Sequence, residues 1–173
     1  IGGGIADGKR FKAVQIGGPS GGCLPLDLLD LPIDYDSLAE AGAIMGSGGM
    51  IIIDEDNCVV DLAKYFSSFT QKESCGKCAP CRVGTKQMLT MLERITQGKA
   101  DSDELTRRQG LALVVKEASL CGLWQTAANP VLTTLKYFYD DYQSHIIDKK
   151  CPAVACKDLV IAACRDTCSA EID

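Results

Sequence analysis

A single histidine stands among 173 residues, aromatic side chains make up only 6% of them, and no run of 18 apolar residues occurs. The last absence excludes a membrane-spanning helix, which needs about 20 apolar residues to cross the hydrocarbon core. The first residues, Ile1-Gly2-Gly3-Gly4, lack both a basic n-region and an apolar h-region, so no secretory signal is visible and a cytoplasmic protein is expected. An initiator methionine is also missing, from which a start inside a longer protein is expected. Neither glycine string, Gly17-Gly18-Pro19-Ser20-Gly21-Gly22 or Gly46-Ser47-Gly48-Gly49, has the G-x-G-x-x-G spacing or a Walker lysine, and both read as turns. The remaining composition, 46% hydrophobic and 24% charged, excludes a disordered or collagen-like polymer and allows one compact domain or two small ones.

Cysteine is what the chain has in excess, with ten residues. Without an oxidising address, so many thiols suit metal binding better than a disulfide framework. The net charge of -5 is uneven: residues 1–70 hold ten Asp/Glu and four Lys/Arg, whereas 71–98 hold five Lys/Arg and two Glu. That basic island, Lys72, Lys77, Arg82, Lys86 and Arg94, surrounds three cysteines with no aromatic residue among them. Such a pattern fits an anionic centre better than nucleic acid.

Twelve of the 17 glycines fall within residues 1–49. Up to about Asp56, short apolar runs (Phe11 to Ile16, Ala43 to Met45, Met50 to Ile53) alternate with Gly and Pro turns, the pattern of strands and loops. From Asn57 the period becomes helical: Leu62, Phe66 and Phe69 share a face, as do Met88, Met91, Leu92 and Ile95, and Val131, Leu135, Phe138, Tyr142 and Ile146. The spacing predicts helices over 57–71, 81–97, 102–118 and 129–147, the third opened by an Asp101/Glu104 capping box and the fourth by Asn129-Pro130. The fold class expected is α+β, with an incomplete sheet followed by a four-helix bundle.

Cys75-Gly76-Lys77-Cys78-Ala79-Pro80-Cys81 is a C-x2-C-x2-C run, and Cys121 is the nearest further cysteine. Three thiolates on one compact loop and a remote fourth suit a [4Fe-4S] cubane. Zinc, which commonly uses paired C-x2-C knuckles, stays open as a structural alternative, making the chain a zinc-stapled interaction module. The helix starting near Cys81, with Lys77 and Arg82, would set positive charge beside the cluster and favour its reduction. Cys151, Cys156, Cys164 and Cys168 match no compact site; Cys164 and Cys168 are candidates for a second cluster. Cys23 and Cys58 read as buried small hydrophobes, and His145, near a helix end, is not expected to bind metal.

The ordered set of Phe11 to Cys23, Met-Gly-Ser-Gly-Gly-Met, Glu-Ser-Cys-Gly-Lys-Cys-Ala-Pro-Cys-Arg-Val-Gly-Thr and Ser-Leu-Cys-Gly resembles the flavin- and NADH-binding subunit of respiratory complex I. It resembles more closely that subunit's relatives in NAD-dependent hydrogenases and formate dehydrogenases. The resemblance implies that Cys75, Cys78, Cys81 and Cys121 bind a [4Fe-4S] cluster in a helical bundle at 57–148, preceded by a ubiquitin-like β-grasp (SLBB) segment at 1–56. It further implies an upstream FMN- and NADH-binding domain in the parent chain, a thioredoxin-like [2Fe-2S] subunit and other redox subunits as partners, and single-electron relay as the function. Trp124 departs from the family pattern, which has glycine there. The end, Cys164 to Asp173, resembles the start of the iron–sulfur region in the small subunit of glutamate synthase, so 149–173 is expected to be a cysteine-containing tail or link to a further iron–sulfur module.

Overall fold

The computed structural model describes residues 4–160. Strands β1 (Phe11–Ile16), β2 (Gly22–Pro25) and β3 (Met50–Asp54) form an antiparallel sheet in the order β2-β1-β3, with Val14 opposite Leu24 on one side and Ile52 on the other. Side chains alternate across a strand, so β1 has two faces, and both are covered. Val14, Ile16 and Leu24 pack with Leu38 of α1 (Tyr35–Glu40) and with Ala41 and Ala43 just after it. Ala13, Cys23 and Ile53 cluster with Leu62 and Phe138 from the helical part. Burial of this second face pushes the Cys23 thiol up to about 12, as expected of a small hydrophobe.

Two readings of this region change. The run Ala43–Met45 is no strand; it crosses the sheet as a loop, with the Ala43 N–H donating to the Leu38 carbonyl at 2.8 Å. In turn β2 starts on Gly22, the last residue of the glycine string, where only a turn is expected. A Cβ on Gly22 would run into the backbone of Ala43, and one on Gly17 (φ 89°) into the Ile44 carbonyl oxygen, so these two positions are glycine because the crossing loop lies directly on them.

The helices are α2 (Val59–Lys72), α3 (Thr85–Thr96), α4 (Asp103–Ala118), α5 (Gly122–Thr126), α6 (Asn129–Tyr137) and α7 (Tyr139–Ile146). Met88, Leu92 and Ile95, at helical spacing on α3, meet Val59, Val60 and Ala63 of α2, Val115 of α4, Val131 of α6, and Tyr142 and Ile146 of α7 in one core. Full burial of such side chains contributes about 1.5–3 kcal/mol each. The stripe on α2 differs from the expected one: Leu62 turns to the sheet and Phe69 is half exposed, because α2 has to cover sheet and helices at once. The single helix expected over 129–147 breaks at Phe138 (φ -130°, ψ 41°) into α6 and α7, bridged by Thr134 Oγ1 and Tyr142 Oη at 2.8 Å. The N-cap of α4 is Ser102 rather than Asp101, and Asn129 begins α6 while its amide donates to the Ser20 carbonyl at 3.3 Å.

Three polar contacts tie the sheet and the end of α1 to α6 and α7. The Cys23 N–H donates to Thr133 Oγ1 at 2.9 Å, the Tyr137 hydroxyl to the Ala41 carbonyl at 2.9 Å, and Lys12 pairs with Asp141 at 2.8 Å. The first is wholly buried. Thr133→Val keeps the shape but removes the acceptor, leaving a buried N–H without a partner, so a loss of about 1–3 kcal/mol is expected in denaturant unfolding.

Candidate functional site

α2 stops at Lys72, and the chain turns through Gly76, whose φ of 74° lies in the left-handed region that glycine enters at little cost. Both sides of that turn are clamped. The Gly76 N–H donates to Ser74 Oγ at 3.2 Å, and Arg82 Nη1 donates to the Gly76 carbonyl at 2.6 Å. Ser74 Oγ also lies 3.0 Å from Cys81 Sγ, a role that sequence reasoning passes over although Ser74 sits beside the first cysteine of the motif. Cys81 lies in a π turn over Pro80–Gly84 that runs straight into α3. Such turns concentrate at functional sites. A Cβ on Gly84 would strike Val115, so glycine there lets α4 come close.

Cys75 and Cys121 are exposed, Cys78 is half-buried and Cys81 is buried; all four are free thiols. Cys121 begins α5, and its carbonyl accepts the N–H groups of Trp124 and Gln125, both at 3.1 Å. Backbone hydrogen bonding from the neighbouring Leu120 and from Cys81 holds the Cys78 thiol below its usual pKa. Burial pushes Cys81 the other way, partly offset by the Ser74 hydroxyl. Trp124 is 2% exposed and packs with Cys81, Ala127 and Cys78. The indole that departs from the family pattern therefore covers the buried side of the loop. Four thiols on two segments that Trp124 packs together, with the Ser74 hydroxyl already beside one sulfur, are a donor set that fits an iron–sulfur cluster.

A second group of ligand-type side chains lies elsewhere. Cys58 is the N-cap of α2, where its sulfur accepts the Asp61 N–H at 3.5 Å, and His145 is buried in the last turn of α7. The His145 Nδ1 is 2.6 Å from the Asp141 carbonyl oxygen, which can only accept, so Nδ1 carries a proton and Nε2 faces the thiols. Nε2 lies 3.3 Å from Cys58 Sγ and 3.4 Å from Cys156 Sγ, and those sulfurs are 3.7 Å apart. With Cys151 the four ligand atoms all fall within 4.8 Å of one another. Burial disfavours the charged imidazolium, yet contacts with Cys151 and Cys58 outweigh it and hold the His145 pKa up, at about 10.

Two expectations bear on this group: Cys58 is buried in the core, as expected of a small hydrophobe, yet its sulfur stands against His145, and His145, not expected to bind metal, lies among thiols of ligand type. One signal is present in the sequence. His145, Cys151 and Cys156 fall within 12 residues, a spacing typical of local metal ligands, although the remote Cys58 has no local mark. Cys164 and Cys168 lie outside the described residues.

An α+β chain with a C-x2-C-x2-C loop at the head of a helix belongs among the iron–sulfur proteins. Its residues 61–145 match the NADH-ubiquinone oxidoreductase-F iron-sulfur binding region, and with that segment the chain carries the family's [4Fe-4S] binding domain. The chain is 53% identical over 160 residues to the NADP-reducing hydrogenase subunit HndC of Solidesulfovibrio fructosivorans, a match spanning 92% of this chain and 33% of that one. To the F-type subunit of the NADH-quinone oxidoreductase of Streptomyces coelicolor it is 36% identical over 150 residues, 87% of this chain and 33% of the relative. The structure of an NAD+-reducing [NiFe]-hydrogenase in the H2-reduced state aligns with a TM-score of 0.73 at 30% identity, covering 92% of this chain and 27% of that one. The chain thus spans about a third of the length of the two curated relatives. Among the described residues no helix is long and apolar enough to cross a membrane.

Proposed function

We propose that this chain is the electron-relay segment of an NAD(P)H-oxidising flavoprotein subunit, with Cys75, Cys78, Cys81 and Cys121 holding its [4Fe-4S] cluster. The observation that carries this reading is the packing of Trp124, three residues after Cys121, with Cys81 and Cys78, which brings the segment bearing Cys121 against the three-cysteine loop. The cluster supplies one-electron chemistry at a potential tuned by charge, hydrogen bonds to sulfur and solvent exposure. The chain's own residues set those three quantities. Backbone hydrogen bonding from Leu120 and Cys81 and the Ser74 hydroxyl offset charge on sulfur, Trp124 keeps water from the inner side, and exposed Cys75 and Cys121 leave the outer side open to an electron partner.

In this reading residues 1–56 are an incomplete SLBB (β-grasp) segment, 57–148 a cluster-bearing helical bundle, and 149–173 a tail or link to another iron–sulfur module that includes Cys164 and Cys168. FMN and NAD(H) belong to an upstream domain of the parent chain, and the partners are a thioredoxin-like [2Fe-2S] subunit and other redox subunits. The hydrogenase and quinone oxidoreductase activities for which the relatives are named support this assignment.

Anaerobic purification followed by iron and acid-labile sulfide analysis tests the cluster. Reduction tests the division of labour, because splitting a hydride into single electrons needs a flavin, whereas a cluster takes single electrons directly. Dithionite is expected to bleach the visible absorbance of the 173-residue chain and NADH to leave it unchanged. Bleaching by NADH in a flavin-free sample would contradict the assignment, as would a preparation without sulfide.

A further inference from the structure

We propose that Cys58, His145, Cys151 and Cys156 form a four-coordinate zinc site, separate from the iron–sulfur loop, that closes the segment after α7 onto the start of α2. Three thiols and an imidazole are a donor set of structural zinc sites, and with all four positions filled by protein no place remains for a reacting water. The distances decide for one ion. Zinc with Zn–S of about 2.3 Å and Zn–N of about 2.0–2.1 Å defines a tetrahedron with edges of about 3.8 Å between sulfurs and about 3.5 Å from sulfur to nitrogen. The observed edges are 3.7 Å between Cys58 and Cys156, and 3.3 and 3.4 Å from His145 to these sulfurs. A cluster of several irons would spread its ligands further than this, since bridging sulfides separate the metals.

The surroundings are those of a built site. A metal-bound histidine usually donates its other N–H to a carbonyl or carboxylate, which fixes the ring and leaves the second nitrogen free for the metal. The Asp141 carbonyl does this for His145, and the Asp61 N–H supports the Cys58 sulfur. All four side chains are buried, in a core that includes Val59, Leu92, Ile95 and Ile146. Between the last two ligands Val154 holds φ at 53°, a conformation that a β-branched residue enters only where its neighbours force it, and anchoring of Cys151 and Cys156 to one ion is such a force. Three of the four residues lie outside the segment shared with the iron–sulfur family, and His145 is its last residue. The two centres are therefore separate in sequence as well as in ligand type.

Metal analysis of the anaerobically purified chain, prepared without chelator, is expected to find one zinc per chain in addition to any iron. Cys156→Ser should lose the zinc and leave the iron unchanged, whereas Cys75→Ser should do the reverse. Cobalt(II) exchanged into the unsubstituted protein provides a readout that does not depend on how a variant folds: intense thiolate charge-transfer bands and tetrahedral d–d bands are expected. His145→Cys should retain zinc, as a four-thiolate site, and shift those bands. Zinc absent from the purified chain, zinc lost in Cys75→Ser but kept in Cys156→Ser, or octahedral cobalt without thiolate bands would each overturn the proposal. So would a Cys58–Cys156 disulfide found by mass spectrometry in the anaerobic sample.

Discussion

Replacing Cys121 by serine is expected to remove most of the iron and labile sulfide from the chain. Serine matches cysteine in size, but its hydroxyl gives up a proton far less readily, so the fourth corner would lack an anionic ligand. Three ligands on the 75–81 loop would remain, yet the bond that pins this loop to the start of α5 would be gone. Because a group bound only by the folded chain adds its binding energy to stability, the thermal midpoint should also fall, by about 2–4 °C for each kcal/mol lost. Cys23→Ala offers the control, since Cys23 sits in the sheet core and should leave iron content unchanged. Iron retained in full by Cys121→Ser would move the fourth ligand elsewhere.

The second large effect is expected at Gly17, and it concerns the fold alone. Gly17→Ala would place a Cβ in the left-handed region, at about 1–2 kcal/mol, and drive it into the Ile44 carbonyl and side chain, adding about 1–3 kcal/mol of overpacking. Gly48 has a similar φ of 81° with nothing near its missing Cβ, so Gly48→Ala should show the backbone part only. Urea unfolding of both variants separates the two contributions. Equal losses would mean that the loop over the sheet yields freely to the added methyl.

Much of the helical part is legible in the sequence because burial there follows a local period: Met88, Leu92 and Ile95 announce α3 without any knowledge of what they touch. The departures come where two surfaces compete for one element. Leu62 has the spacing of the α2 core stripe, but the sheet claims it, and Phe138 has the spacing of a continuing helix that in fact breaks there. β2 is hidden because it opens on Gly22, a glycine that answers to the Ala43 loop packed on it rather than to strand propensity. For the sites, the C-x2-C-x2-C motif is readable since three thiols sit on one loop, whereas Cys58 is 87 residues from His145 and only the folded chain joins them. Burial misleads as well: a small hydrophobe and a zinc thiolate are equally hidden from water.

The π turn at Pro80–Gly84 has a consequence for how such a chain can be altered by length rather than by composition. A π turn amounts to one residue more than an α-helix needs for the same rise, and each residue of an α-helix advances the chain by about 100° around its axis. Deleting one residue from this turn would leave Met88, Leu92 and Ile95 in their places and swing Cys81 by roughly a quarter turn, away from Ser74 and Trp124. Helix packing and cysteine orientation are thus on separate dials, and a single-residue gap or insertion in a relative at this point would mark a chain that kept its core while changing what its thiols can hold.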